Sequence, residues 1–195
     1  VPGVYDDAYN KALELKEEHG YTFVHPFDDE YVIAGQGTIG LEIMNEMSDV
    51  DAVLVPIGGG GLISGVACAI KSISPHVKVY GVQAAGAPSM YNAIHHGKME
   101  ALTSVSTIAD GIAVKKPGEL TYEMVKNYVD DIALVTEDEI AAAILALIEK
   151  QKMIAEGAGA VSVAAAMFHK FPLEGKKVVS LISGGNIDVT SLSRV

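Results

Sequence analysis

The sequence predicts an α/β fold with a mostly parallel, twisted sheet and helices on both faces. Short apolar runs alternate along the chain with longer segments of helical period, and two of the runs lead directly into glycine turns, at residues 58–61 and 183–186. The composition is 49% hydrophobic with only 20% charged residues, which indicates a dense core. Alternating apolar strands and amphipathic helices are typical of a parallel sheet that helices cover on both sides.

Apolar runs predict four strands, at residues 51–57, 77–83, 131–136 and 177–183. A further short strand is predicted in YTFVHPFDD, before a turn at Pro26. Residues 51–83 predict a strand, a tight turn, a helix and a second strand within about thirty residues, which is the length of a βαβ unit. We expect its crossover to be right-handed.

Apolar residues at helical spacing predict helices at residues 5–19, 37–47, 62–73, 119–129, 137–154 and 156–169. Thr136 and Glu139 form a capping-box pattern in front of one of them. The helix at 156–169 is rich in Gly and Ala, so we expect it to lie close against the sheet. Residues 84–118 predict a helix followed by loops.

Charge and composition exclude several classes of function. The net charge of −11 argues against a nucleic-acid surface, because phosphate backbones need a basic face. No apolar run reaches the roughly 18 residues of a membrane span. The single cysteine, Cys68, excludes an internal disulfide, and no Cys/His cluster has the spacing of a metal site. We therefore expect a cytoplasmic protein without a bound metal.

Four consecutive glycines, Gly58 to Gly61, end a predicted buried strand in VLVPIGGGGLISG. Where a strand leads into a helix, free backbone N–H groups and the helix dipole favour an anion, and glycine lets it approach closely. The spacing is neither the dinucleotide fingerprint nor a Walker loop. A tight turn without a ligand remains the alternative.

A second glycine turn, SGGN at residues 183–186, follows the last predicted strand. Ligands of open α/β sheets collect at the carboxyl ends of the strands, so we expect both turns to open on the same edge. The first would offer backbone amides and the second the Ser183 hydroxyl. Together they predict a binding site for an anionic ligand.

Six segments carry a resemblance to a known family: HPFDDEYVIAGQGTIGLEI, VPIGGGGLISG, ADGIAVKKPGELTYE, VDDIALVTEDEI, AEGAGAV and SGGNID. In this order they resemble the pyridoxal-phosphate-dependent threonine dehydratases, also called threonine ammonia-lyases, to which the serine racemases are near relatives. The resemblance covers essentially all 195 residues. It implies the large domain of the tryptophan-synthase-β-like fold.

The resemblance also implies which residues touch the cofactor, pyridoxal 5′-phosphate. It implies that the cofactor phosphate is bound by Gly58, Gly59, Gly60, Gly61 and Leu62. It also implies that Ser183 faces the nitrogen of the cofactor ring. A neutral serine there moderates the electron-sink power of the ring, which suits β-elimination. Near the cofactor it further places Asp110, Gly111, Glu156, Gly184 and Asn186.

Two features of the family are not matched. In the racemases acidic metal ligands stand at the positions of Gln83 and Ser89, so no metal site is predicted here. The lysine that carries the cofactor covalently has no counterpart, because Lys71, Lys78, Lys115 and Lys116 lie in charged, surface-like contexts. No catalytic residue is therefore predicted in this chain. We expect residues 1–24 to be the tail of a small domain and residues 25–195 the large cofactor-binding domain, without the lysine segment or a regulatory domain.

The resemblance implies part of a lyase of amino-acid metabolism that deaminates L-threonine to 2-oxobutyrate and ammonia, and L-serine to pyruvate as a second reaction. We expect the chain to be inactive alone and the complete enzyme to be a homo-oligomer. Its expected binding partner is a small amino-acid substrate, and neither nucleic acid nor a membrane. The alternatives are a serine racemase, another pyridoxal-phosphate enzyme of the same fold, or a non-catalytic phosphate- or nucleotide-binding module.

Overall fold

In the described residues, the centre of the molecule is a four-stranded sheet whose strands are all parallel. The computed structural model describes residues 5–188, with side chains from residue 7 onward. The strands, in chain order, are β1 (Ala52–Pro56), β2 (Lys78–Ala84), β3 (Asp131–Val135) and β4 (Val178–Ser180). They lie in the order β3-β2-β1-β4, and every neighbouring pair is parallel. The predicted fold class is confirmed.

Seven α-helices connect and flank these strands in the described part of the chain. They are α1 (Tyr5–His19), α2 (Glu30–Glu46), α3 (Gly61–Ile73), α4 (Ser89–His96), α5 (Glu119–Tyr128), α6 (Glu137–Ala146) and α7 (Gly157–Met167). A 3₁₀ turn at Asp110–Ile112 precedes α5, and a π-helical turn at Leu147–Gln151 ends α6. None of the described helices combines the length and apolar character needed to cross a bilayer.

Alternate residues of each strand face two separate apolar cores. On one face Val53, Val55 and Val79 pack with α3, α4 and α5. On the other, Leu54 and Val82 pack with α6 and α7. Because the register pairs Leu54 with Tyr80 and Val55 with Gly81, the same face continues from strand to strand. Both faces of the sheet are thus covered by helices.

Helix α2 begins at Glu30, seven residues before its predicted start at residue 37. Asp29 caps it, its carboxylate accepting hydrogen bonds from the N–H groups of Tyr31 and Val32. The sequence of α2 contains Gly35, Gly37 and Gly40, and glycine disfavours a helix in isolation. Here Gly37 and Gly40 lie against the backbone of α3, and that close packing offsets their poor helix propensity.

Three other predictions of secondary structure need correction. No strand forms in YTFV: the described segment after α1 is irregular and held by ring contacts, such as that between Tyr9 and Phe23 at 5.5 Å. The helix predicted to residue 154 ends in the π-helical turn, where Lys152 takes a positive φ of 58°. The strand predicted at 177–183 pairs with β1 only over residues 178–180 and is half-buried rather than buried.

Asp130 joins three elements at the amino edge of the sheet. Its carboxylate, 18% exposed, accepts hydrogen bonds from Lys71 Nζ at 2.6 Å, Lys78 Nζ at 2.8 Å and the Val79 N–H at 2.8 Å. Lys71 is therefore a paired side chain, only 16% exposed, rather than the surface-like lysine that the sequence predicts. Burial raises the pKa of Asp130, but the hydrogen bonds from both lysines outweigh it and hold the pKa below its ordinary value.

An Asp130→Asn substitution is expected to lower the free energy of unfolding by about 1–2 kcal/mol at pH 7, because it removes a charged acceptor of several hydrogen bonds. A lowered folded-state pKa stabilises the fold above the unfolded pKa and loses this effect as the pH falls through the folded value. The difference from wild type should thus be full at neutral pH and shrink below about pH 4. Urea unfolding at several pH values measures it, with the neighbouring exposed Asp131→Asn as control. A difference that stays constant down to pH 2 would contradict this account.

Candidate functional site

The glycine loop, residues 58–61, joins the carboxyl end of β1 to the first turn of α3. The first hydrogen bond of the helical ladder runs from the Ser64 N–H to the Gly60 carbonyl at 3.0 Å, so the N–H groups of Gly61, Leu62 and Ile63 have no acceptor within the helix. Among the described residues no side chain caps this helix, and its first turn carries no acid. The loop therefore presents free donors and the positive end of a helix dipole.

Gly60 requires glycine for two independent reasons. Its φ is +101°, in the left-handed region that residues with a Cβ avoid. A Cβ at this position would also come within 2.8 Å of Met90 and Thr121. Phe27 packs against the neighbouring glycine, Gly59, so closely that a Cβ there would overlap its ring. The loop is thus shaped by what lies around it as well as by its own flexibility.

The SGGN turn, residues 183–186, lies beside the glycine loop because β4 is the parallel neighbour of β1. Glu156, at the N-terminus of α7, holds it in place. The Glu156 N–H donates to the Gly184 carbonyl at 3.2 Å, and Glu156 Oε2 accepts from the Asn186 N–H at 3.1 Å. Ser183 is exposed and precedes this clasp, so its hydroxyl is available to a ligand.

Asp110 and Gly111 form the 3₁₀ turn that approaches the same edge. The Gly111 N–H donates to Asp110 Oδ1 at 2.9 Å. A Cβ at Gly111 would lie 3.1 Å from that of Ala158 and 3.5 Å from Glu156 Oε1. The turn therefore contacts the start of α7, beside the residue that clasps the SGGN turn.

One cavity of about 350 Å³ unites most of the predicted residues. Its predicted lining residues are Gly58, Gly59, Gly60, Gly61, Leu62, Asp110, Gly111, Glu156 and Ser183. Gly184 and Asn186, also predicted near the ligand, contact Glu156 and do not line it. The volume lies within the usual range of small-molecule sites.

The sequence did not reveal the apolar part of the lining. Pro26 and Phe27 form one side, and Ile112, Ala113 and Val114 another. In the sequence, Pro26 signalled only a turn, and the segment after the 3₁₀ turn only a loop. Both segments reach the cavity through long-range packing, which a single sequence does not display.

The donors and the walls of this cavity fit a phosphorylated aromatic ring. Free amides of the glycine loop suit a phosphate, the apolar residues suit a flat ring, and Ser183 offers one neutral hydroxyl. Among the described residues that line it there is no lysine or arginine. Nor does the described part of the chain contain a group of three or more His, Cys, Asp or Glu side chains placed to hold a metal ion.

Comparison with known proteins agrees with this geometry. A family described as pyridoxal-phosphate dependent enzymes matches residues 1–184. An L-threonine ammonia-lyase of Thermotoga maritima is 57% identical over 192 residues, which are 98% of this chain and 48% of that protein. The processed form of threonine deaminase isoform 2 from Solanum lycopersicum superposes with a TM-score of 0.93 at 41% identity, covering 100% of this chain and 54% of that one.

A serine racemase from maize is also similar, with a TM-score of 0.90 at 34% identity over 98% of this chain and 60% of the other. The chain spans about half the length of these curated relatives. The sequence-based recognition of the family is confirmed. With this fold, this glycine loop and these relatives, the chain belongs to the family of pyridoxal-phosphate-dependent enzymes.

Proposed function

We propose that the protein is a threonine ammonia-lyase that converts L-threonine to 2-oxobutyrate and ammonia, and L-serine to pyruvate as a second reaction. The main observation behind the proposal is that the glycine loop and Ser183 line the same cavity, of about 350 Å³. The similarity to an L-threonine ammonia-lyase over 98% of this chain supports this choice of substrate.

Each part of the cavity has a separate task in this proposal. The N–H groups of Gly61 and Leu62 hold the phosphate at the positive end of α3. Ser183 would offer the ring nitrogen a hydroxyl instead of a charge, and Phe27, packed against Gly59, would shield that side of the cradle from water. When bound, pyridoxal phosphate supplies the electron sink that makes loss of a β-hydroxyl feasible.

We further propose that residues 1–24 are the tail of a small domain and residues 25–195 the large cofactor-binding domain. Helix α1 supports this division, since none of its described side chains, from residue 7 onward, belongs to the two apolar cores. The complete enzyme is proposed to be a cytoplasmic homo-oligomer. In support, an apolar groove between α2, α3 and α5 is flanked by Leu41, 51% exposed, and Leu120, 40% exposed.

A serine racemase is the second candidate, because the maize racemase shares the fold at 34% identity. The buried Gln83 and Ser89 favour the lyase, since they stand where the racemases resembled here have acidic metal ligands.

Supplying L-threonine and L-serine to the protein at its full natural length separates the two activities. The lyase releases 2-oxobutyrate and pyruvate, and a product that is mainly D-serine would overturn the proposal. For the 195-residue chain alone we expect binding without turnover, because no lysine among the described residues lines the cavity.

Calorimetric titration of this chain with pyridoxal 5′-phosphate tests the cradle directly. We expect saturable binding that inorganic phosphate displaces and that Gly60→Asp abolishes, because the new side chain collides with Thr121 and adds a negative charge. Gly175→Asp is the matched control: its φ is also positive, at +70°, and no atom of the described residues lies within 4 Å of a Cβ placed there. Tighter binding of AMP than of pyridoxal phosphate would instead support a nucleotide-binding module.

Ser183→Asp tests the position of the ring nitrogen. A carboxylate placed beside this nitrogen favours its protonated form, so the pKa of the bound ring nitrogen should rise by at least about one unit. The absorbance of the bound cofactor, followed as a function of pH, reports this pKa. Ser183→Ala should not raise it. An unchanged titration in Ser183→Asp would show that Ser183 lies away from the ring nitrogen.

A further inference from the structure

The amino end of α5 receives its cap from a distant part of the chain. Gly118 occupies the N-cap position and has no side chain to offer. Instead, Asp28 accepts hydrogen bonds from the N–H groups of Glu119 at 3.1 Å and Thr121 at 3.0 Å, one at each carboxylate oxygen. The carboxylate fits only because residue 118 is glycine, since a Cβ there would overlap it. Asp28 therefore fixes where α5 begins.

Thr121 links this helix end to the glycine loop. Its side chain is fully buried, and Oγ1 lies 2.6 Å from the Gly59 carbonyl and 3.2 Å from that of Gly118. A hydroxyl has one proton to donate, and the shorter distance assigns it to Gly59. The Gly118 N–H also points at the Gly59 carbonyl, at 3.5 Å. The carbonyl of Gly59 is thus held from the side of α5.

The direction of this carbonyl determines the direction of a cradle amide. The Gly59 carbonyl and the Gly60 N–H belong to one peptide unit, and in a trans peptide they point in opposite directions. The described chain has no cis peptide bond. With the carbonyl directed at Thr121, the N–H of Gly60 is directed away from it, and Gly60 lines the cavity.

The segment His25–Asp28 is itself pre-shaped. His25 Nδ1 accepts hydrogen bonds from the N–H groups of Phe27 at 3.3 Å and Asp28 at 2.8 Å. The His25 and Phe27 rings lie edge to face, 4.6 Å apart, and Phe27 packs against Gly59. This short segment therefore supports the glycine loop in two ways. Phe27 contacts the loop directly, and Asp28 acts on it indirectly by capping α5.

We propose that Asp28 and Thr121 are positioning residues that fix the glycine loop in the conformation that binds the cofactor phosphate. This inference rests on the proposed role of the loop as a cofactor cradle. Neither side chain lines the cavity, so both act through the backbone of Gly59.

Thr121→Val removes the hydroxyl at nearly constant volume, and Thr121→Ser keeps it. Calorimetric titration of the chain with pyridoxal 5′-phosphate is expected to show about tenfold weaker binding for Thr121→Val, the equivalent of one lost hydrogen bond, and near wild-type binding for Thr121→Ser. Equal affinity of the valine variant and wild type would overturn the inference while leaving the cradle itself intact.

The pair Asp28→Ala and Asp29→Ala separates positioning from general stability. Each aspartate accepts two backbone N–H groups at the start of a helix, Asp28 at α5 and Asp29 at α2. Both variants should lower the melting temperature to a similar extent, since each loses a cap worth about 1 kcal/mol. Only Asp28→Ala should weaken cofactor binding. Equal weakening in both variants would show that Asp28 acts only through overall stability.

A readout without cofactor keeps this inference distinct from the proposed function. In the ligand-free chain, NMR order parameters of residues 59–61 should fall from about 0.85 toward 0.6 in Thr121→Val and Asp28→Ala, and stay high in Asp29→Ala. If the wild-type chain fails to bind pyridoxal phosphate, the proposed role of the loop as a cofactor cradle fails, but these order parameters still decide the role of the two residues. Unchanged order parameters in both variants would refute it.

Discussion

The site depends on the parallel pairing of β1 with β4. In a parallel sheet all strands end at one edge, so the glycine loop after β1 and the SGGN turn after β4 become neighbours although more than a hundred residues separate them. The pairing covers only Ala52–Leu54 with Val178–Ser180. A short edge strand is weakly held by its own ladder, and the clasp of Glu156 on Gly184 and Asn186 supplies a second attachment beyond the end of β4.

Small residues make this arrangement compact. The backbones of α2 and α3 approach each other at Gly37, Gly40 and Gly65, and Gly159 of α7 lies against the Gly184 carbonyl. Each contact places one backbone where a side chain would otherwise stand. The site therefore sits on closely packed backbone segments, which move less easily than long side chains and hold the free amides of α3 in a fixed direction.

The sequence predicted those features that are local. Apolar runs located β1, β2 and β3, and the capping box of Thr136 and Glu139 is present as expected. Two glycine turns at strand ends were sufficient to predict that Gly58–Gly61 and Ser183 meet. The predicted start of α2 was wrong, because its cap at Asp29 and the close packing of Gly37 and Gly40 against α3 are visible only in the folded chain. The length of β4 was wrong because it depends on its partner rather than on its own apolar run.

The residues that hold the glycine loop in place were not predictable from local sequence patterns. Asp28 and Thr121 are 93 positions apart, and neither has an unusual neighbourhood in the sequence. An aspartate pair near a proline is typical of any helix start, and only the folded chain shows that Asp29 caps its own helix while Asp28 caps another. The contribution of Phe27 to the cavity was not predictable either, because Gly59, against which it packs, lies 32 positions away in the sequence.

Electrostatics explains why such supporting residues matter here. The chain carries a net charge of −11, and its cavity is lined by Asp110 and Glu156 but, among the described residues, by no lysine or arginine. The described lining therefore offers a phosphate no cationic side chain, and the charge of acids farther away is screened beyond about 8 Å at physiological salt. What remains is the short-range field of oriented N–H groups at the start of α3, which falls off within one turn. Because a flexible cationic side chain can follow a displaced ligand but a backbone amide cannot, recognition by amides depends on how firmly the loop is held from behind.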